Sequence, residues 1–136
     1  MIKRRFVIGS YSLFKENQDE VFLRAQKCRR VIVDAVNDIL TSYDAIYLPA
    51  SPTTAPLFDG RVSDKLSNEY LISDNHLALA NFAGLPSIVI PLGFENNLPF
   101  GASIMCRKFE EVKMFSIAQA LEELINLKNL VAQEDE

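Results

Sequence analysis

"NFAGLPSIVIPLGF", residues 81–94, holds two Gly and two Pro and not one charged side chain. Its breakers divide it into pieces of different kinds. Ser73 and Asp74 are good N-cap residues. They precede "NHLALANFA", in which Leu77, Ala80 and Ala83 fall at helical spacing, and Gly84 stands where a left-handed residue ends a helix. Pro86 prevents the helix from resuming. "SIVI" then has the β-branched composition and length of a buried strand, closed by Pro91 and Gly93. The stretch predicts a helix end, a stop and a strand in the core.

Working outward, the run from Glu16 to Leu40 places Val21, Phe22, Ala25, Cys28, Ile32, Ala35, Val36, Ile39 and Leu40 three or four residues apart, with charges between them. That periodicity predicts one long amphipathic helix. "DAIYLP" reads as a second buried strand stopped by Pro49. "PASPTTAPLFDG" has too many prolines for a regular element and is a loop. Strand, helix and strand in this order favour a right-handed crossover with the two strands paired in parallel. "FENNLPFGASIMC" predicts a turn and a strand over Ala102–Cys106 that returns antiparallel to the first. Val112, Phe115, Ala118, Leu121 and Ile125 mark a further amphipathic helix from Glu110 to Asn126. The expected class is α/β, a mixed sheet of a few strands flanked by helices.

Apolar residues make up 49% of the 136 and charged residues 24%, a globular balance that predicts one domain over 1–136. The net charge is −4, and much of the acidic excess lies in the terminal "QEDE". Basic residues gather at 3–5 and 24–30, but no aromatic side chains are interleaved with them as a nucleic-acid groove requires. Cys28 and Cys106 lack metal-ligand spacing and read as reduced core thiols. No run is long and apolar enough for a signal peptide or a membrane span, so a cytoplasmic protein is expected, with no membrane partner.

The familiar catalytic signatures are missing: there is no GxGxxG, Walker A, GxSxG, HExxH or paired CxxC. His76, the one histidine, has no nucleophile at useful spacing and reads as a helix-surface or core residue. Nothing beside the "SPTT" hydroxyls activates them, and turn chemistry accounts for them. Glu110 and Glu111 suit the positive end of the last helix. No residue of the chain is assigned a catalytic or metal-binding role.

"NFAGLPSIVIPLGF" followed by "NLPFGASIM" resembles the pattern N-x-A-G-x-P-x-x-x-x-P-x-G and then G-x-P-x-G of the amidase signature family. "RRFVIGSYSL" (4–13), "FLRAQKCRRVIVDAVNDIL" (22–40) and "YDAIYLPASPTTAP" (43–56) are similar, in collinear order, to pieces of the glutaminase subunits of tRNA-dependent amidotransferases within that family. The resemblance implies the C-terminal part of the amidase signature fold. It also implies that the family's nucleophilic serine, second serine and lysine belong to a Gly/Ser-rich N-terminal region that has no counterpart here. "FVIGSYS" has a Gly-Ser pair but not that glycine-rich run.

Two substrate-binding residues follow from the resemblance. Arg5 stands where the family places the arginine that pairs with the substrate α-carboxylate, directly before x-x-x-G-[TS]-Y. Asp74, seven residues before Asn81, stands where the family places the aspartate that receives the α-ammonium. A planar guanidinium suits a carboxylate because it offers two parallel hydrogen bonds. An Asp at 74 can also cap a helix. Two departures touch the pocket wall: Ser103 in place of the usual glutamine, and "PLFDG" after "PTTA".

The implied partners are glutamine, the absent N-terminal part of the same protein, and B and C subunits, with tRNA engaged only through the complex. No cofactor is expected in this chain; ATP and magnesium belong to the partner subunit. The alternatives are a non-catalytic binding or assembly module on the amidase scaffold, or a fragment of another amidase-signature hydrolase. A fragment of either kind should expose apolar surface and self-associate.

Overall fold

The computed structural model describes residues 2–55 and 75–127. Helix α1 spans Ile2–Leu13. A short 3-10 turn, Lys15–Asn17, and a π-helical segment, Gln18–Leu23, lead into α2, Arg24–Ser42. The long helix expected from Glu16 is thus helical throughout but changes its winding, because its α-helical part starts only at Arg24. Strand β1 is Ile46–Pro49. After a 3-10 turn, Asn75–Ala78, which contains His76, come α3 (Leu79–Ala83), β2 (Ser87–Glu95), β3 (Leu98–Met105) and α4 (Glu111–Ile125).

The end of α3 follows the sequence closely. Gly84 adopts φ 65°, ψ 43°, a left-handed conformation that costs a residue without a Cβ little. Its N–H and that of Leu85 both reach the Ala80 carbonyl, the latter at 3.0 Å, so that orphan carbonyl at the helix end is satisfied. Ser73 and Asp74, the expected N-caps, lie outside the described residues.

The strands form one sheet in the order β1-β3-β2, and both pairings are antiparallel. The α/β class stands, but the expected parallel contact between the first two strands is absent. They do run in the same direction, yet β3 lies between them. The reason is local: Asn96 and Asn97, at φ 52° and 62°, make a two-residue turn that folds β3 straight back onto β2. β3 then offers its other edge to β1, pairing Ile46 with Met105 and Pro49 with Ala102.

Strand β2 also runs past its expected stop. Pro91 has no N–H to donate, but β2 is an edge strand, and its register shifts between Pro91 and Gly93, so the proline sits at a bulge. Nor are β1 and β2 wholly buried. Tyr47 and Val89 are exposed, while Ile90 is 1% exposed, as expected for strands that alternate between two faces.

Helices cover both faces. On one, Ile46, Leu48 and Met105 pack with Val33, Val36 and Leu40 of α2 and with Ala80, Ala83 and Leu85. On the other, Ile88, Ile90, Leu92 and Ile104 pack with Ile117, Ala118, Leu121 and Ile125 of α4. Full burial of one such aliphatic side chain contributes about 1.5–3 kcal/mol. Cys106 is a buried thiol as expected, but Cys28 is exposed. Only Val36 and Leu40 of the α2 apolar set are buried, both in the C-terminal half of the helix, which does not carry Cys28.

Candidate functional site

Of the two side chains implied to bind substrate, the structure describes Arg5 alone. It lies on α1, is exposed, and has no hydrogen-bond or ion-pair partner among the described residues. Asp74 falls one residue outside the described segment that begins at Asn75. Helix α3, downstream of it, is held against α2. Arg29 of α2 donates to the Phe82 carbonyl from Nε at 3.3 Å and from Nη2 at 3.1 Å, and its guanidinium sits 5.6 Å from the centroid of the Phe82 ring. One side chain thus caps the C-terminal end of α3 and stacks on the residue next to Asn81, fixing α3 against α2.

A second arginine anchors the other end of α2. Arg107, just after β3, donates from Nε to the Leu40 carbonyl at 2.6 Å, where a cation meets the negative end of the helix dipole. Neither arginine stands out in the sequence, because their partners lie 53 and 67 residues away. Ser51 Oγ donates to the Thr53 carbonyl at 2.7 Å and accepts from the Thr53 N–H at 3.4 Å. The "SPTT" serine is therefore engaged in a turn, as its sequence suggested.

The described charges converge once, around Lys113. Its Nζ donates to Asp44 at 3.0 Å and to Glu110 at 3.4 Å. The hydrogen bond and charge of Lys113 hold the Asp44 carboxyl below its ordinary value, and hydrogen bonds to Asp44 and Glu110 raise the Lys113 ammonium. Nearby Cys106 is pushed up by burial, which disfavours a thiolate. The group ties the turn before β1 to the start of α4, and it holds no activated nucleophile.

Two surface depressions lie by α4. One, of about 60 Å³, is lined by Pro91, Glu122, Ile125 and Leu127; the other, of about 290 Å³, by Gln119, Glu122, Glu123 and Asn126. Neither includes Arg5 or offers a cation to a carboxylate. Among the described residues no three His, Cys, Asp or Glu side chains are grouped to hold a metal, and no helix is long and apolar enough to cross a membrane.

A family profile described as Amidase matches residues 1–115, most of the chain. The chain belongs to the amidase family. Among curated amidases it is 42% identical over 121 residues to the A subunit of glutamyl-tRNA(Gln) amidotransferase of Thermotoga maritima, covering 89% of this chain and 25% of that protein. It is 42% identical over 112 residues to the protein of the same name in Francisella tularensis subsp. tularensis, covering 81% and 22%. The crystal structure of the Thermotoga maritima protein superposes with a TM-score of 0.72 at 42% identity, over 90% of this chain and 26% of that one. A bacterial aryl acylamidase of the amidase signature family superposes with a TM-score of 0.63 at 20% identity, covering 90% and 28%, a likeness of fold alone. This amidase chain therefore spans about a quarter of the length of the relatives it matches.

Proposed function

We propose that this chain is the C-terminal portion of the glutaminase subunit of a glutamyl-tRNA(Gln) amidotransferase. The observation that carries this reading is the 42% identity with the Thermotoga maritima protein across 89% of the chain. In the assembled enzyme, Arg5 grips the α-carboxylate of glutamine through two parallel hydrogen bonds and Asp74 receives its α-ammonium. A site built on both charges rejects amides that lack them, since its own polar groups would be left unpaired. Arg5 has no internal partner among the described residues, which suits a side chain reserved for a ligand.

The chemistry itself belongs to the serines and lysine of the remaining portion. A serine attacks the side-chain amide, ammonia leaves, and water hydrolyses the resulting acyl-enzyme to glutamate. The B subunit, with ATP and magnesium, activates Glu-tRNA(Gln) and joins the ammonia to it, and the C subunit braces the pair. Such a complex works in the cytoplasm. This chain by itself turns over no glutamine.

The test is glutaminase kinetics of the assembled amidotransferase carrying Arg5→Ala. Loss of hydrogen bonds to a charged group costs about 1.5–3 kcal/mol, so KM for glutamine should rise roughly 10- to 150-fold. Hydrolysis of a simple amide with no α-carboxylate should change little. An unchanged KM for glutamine would remove Arg5 from the site, and turnover by the purified chain alone would overturn its assignment as a non-catalytic portion.

A further inference from the structure

Helices α1 and α4 are each charged against their own dipoles. The first turn of α1 carries Lys3, Arg4 and Arg5 and no acidic residue, while the last turn of α4 carries Glu122 and Glu123 and no basic one. Lys3, Arg4 and Glu122 are exposed and have no ion-pair partner among the described residues, and Glu123 meets only the Gln119 amide, at 2.9 Å. Each helix also leaves apolar side chains open: Val7 and Tyr11 on α1, with Phe14 just past its end, and Val112 and Phe115 on α4. Helix α1 packs chiefly on the segment over Lys15–Leu23 that follows it. Helix α4 turns Met114 and Ala118 inward, which leaves Val112, Phe115, Gln119, Glu122 and Glu123 facing out.

Along α1, Lys3, Val7 and Tyr11 follow one another a turn apart with Arg4 beside them, so this side of the helix runs from basic to apolar. Along the outer side of α4, Val112 and Phe115 come first and Glu122 and Glu123 last, so it runs from apolar to acidic. We infer that two copies of this chain associate, α1 of each lying antiparallel on the outer side of α4 of the other. One register satisfies both gradients. Arg4 precedes Tyr11 by as many residues as Phe115 precedes Glu122, roughly 10 Å along either axis. With Arg4 level with Glu122, Lys3 comes level with Glu123 and Tyr11 with Phe115, and Phe14 and Lys15, just past α1, fall near Val112 and Glu111. The contact supplies carboxylates to the positive end of α1 and cations to the negative end of α4, charges that neither helix provides for itself. Made twice about a two-fold axis, it closes a dimer. Arg5 lies off this side of α1, so the dimer is independent of the reading under Proposed function.

The test is sedimentation equilibrium of the full 136-residue chain and of two charge-reversed variants. The wild-type chain should pass from one copy to two as its concentration rises, and added salt should weaken the association. Lys3→Glu with Arg4→Glu, and Glu122→Lys with Glu123→Lys, should each weaken it at least about tenfold, because like charges then face one another. All four side chains are exposed, so the circular dichroism of each variant should match wild type. An equimolar mixture of the two variants should regain wild-type association, since both contacts of a mixed pair again join opposite charges. Phe115→Ser, which leaves every charge in place, should also weaken association and decides the matter should a reversed variant unfold. A wild-type chain that stays single, growth past two copies, association that neither reversal nor Phe115→Ser weakens, or a mixture of folded variants that stays apart would each overturn the inference.

Discussion

Replacing Gly101 by alanine tests how closely the three strands are packed. A Cβ built at Gly101 would lie 2.6 Å from the Ile90 carbonyl oxygen, whereas ordinary contact begins at 3.4 Å, a shortfall of 3.4 − 2.6 = 0.8 Å. The obstacle is the backbone of the paired strand, so no side-chain rotation relieves it. Moving β2 away would stretch the ladder where Ile90 faces Ala102 and Pro91 faces Gly101, and Ile90 is buried against α4. Moving β3 instead would disturb the Gly101 carbonyl, which accepts the Ala50 N–H at 2.9 Å and so holds the end of β1. Overpacking costs about 1–3 kcal/mol and a weakened hydrogen bond about 0.5–1.5, so a total of about 1.5–4.5 kcal/mol is expected. For a chain of 136 residues this lowers the midpoint by roughly 5–16 °C, read by circular dichroism at 222 nm. Gly93→Ala is the control, since its Cβ would meet only the Phe100 ring at 3.2 Å, which can turn aside. Gly101→Ala melting within about 2 °C of wild type, or no worse than Gly93→Ala, would refute the close approach of β2 and β3.

Leu40→Ala should cost about 2–5 kcal/mol in urea unfolding, because Leu40 is 1% exposed at the centre of the α2 contact; Ile39→Ala, on the exposed side, should cost far less. Phe109 sits at φ 65° with 93% of its surface exposed, so Phe109→Gly should relieve left-handed strain without losing burial and stabilise the chain by about 1 kcal/mol in the same assay. The Asp44 carboxyl is lowered from 3.8, so its contribution to stability is complete above that value and fades as pH falls through the folded-state value. Lys113 is raised from 10.5, so its contribution is complete below that value and fades as pH rises through the folded-state value. Asp44→Asn should flatten the acid limb of melting temperature against pH, modestly and less at high salt, because the pair is solvent-exposed; an unaltered acid limb at low salt would discount the ion pair.

The elements that the sequence made legible are those whose signals are local. Helix α4 showed itself through apolar spacing, the end of α3 through Gly84 and Pro86, and the turn before β3 through "FENNLP", though not the pairing of β3 with β2. Helix α1 gave no such signal, because Phe6, Val7, Ile8, Tyr11 and Leu13 surround its axis instead of forming one stripe. The candidate site was legible only through resemblance. Nothing in the charge or spacing of Arg5 distinguishes it from Arg4, and the role proposed for it depends on residues outside this portion of the fold.

The sequence by itself determined where α4, the end of α3 and the turn before β3 fall, since backbone sterics at glycine, proline and asparagine act within a few residues. It also carried family membership, through motifs in collinear order. Only the tertiary structure decided that β3 lies between β1 and β2, that Cys28 faces solvent while Cys106 is buried, that Arg29 of α2 reaches the distant Phe82 carbonyl, and that the distant Arg107 reaches the Leu40 carbonyl of α2. Those outcomes depend on which surfaces meet after the chain has folded back on itself, and residues dozens of positions apart have no local pattern from which that meeting can be read.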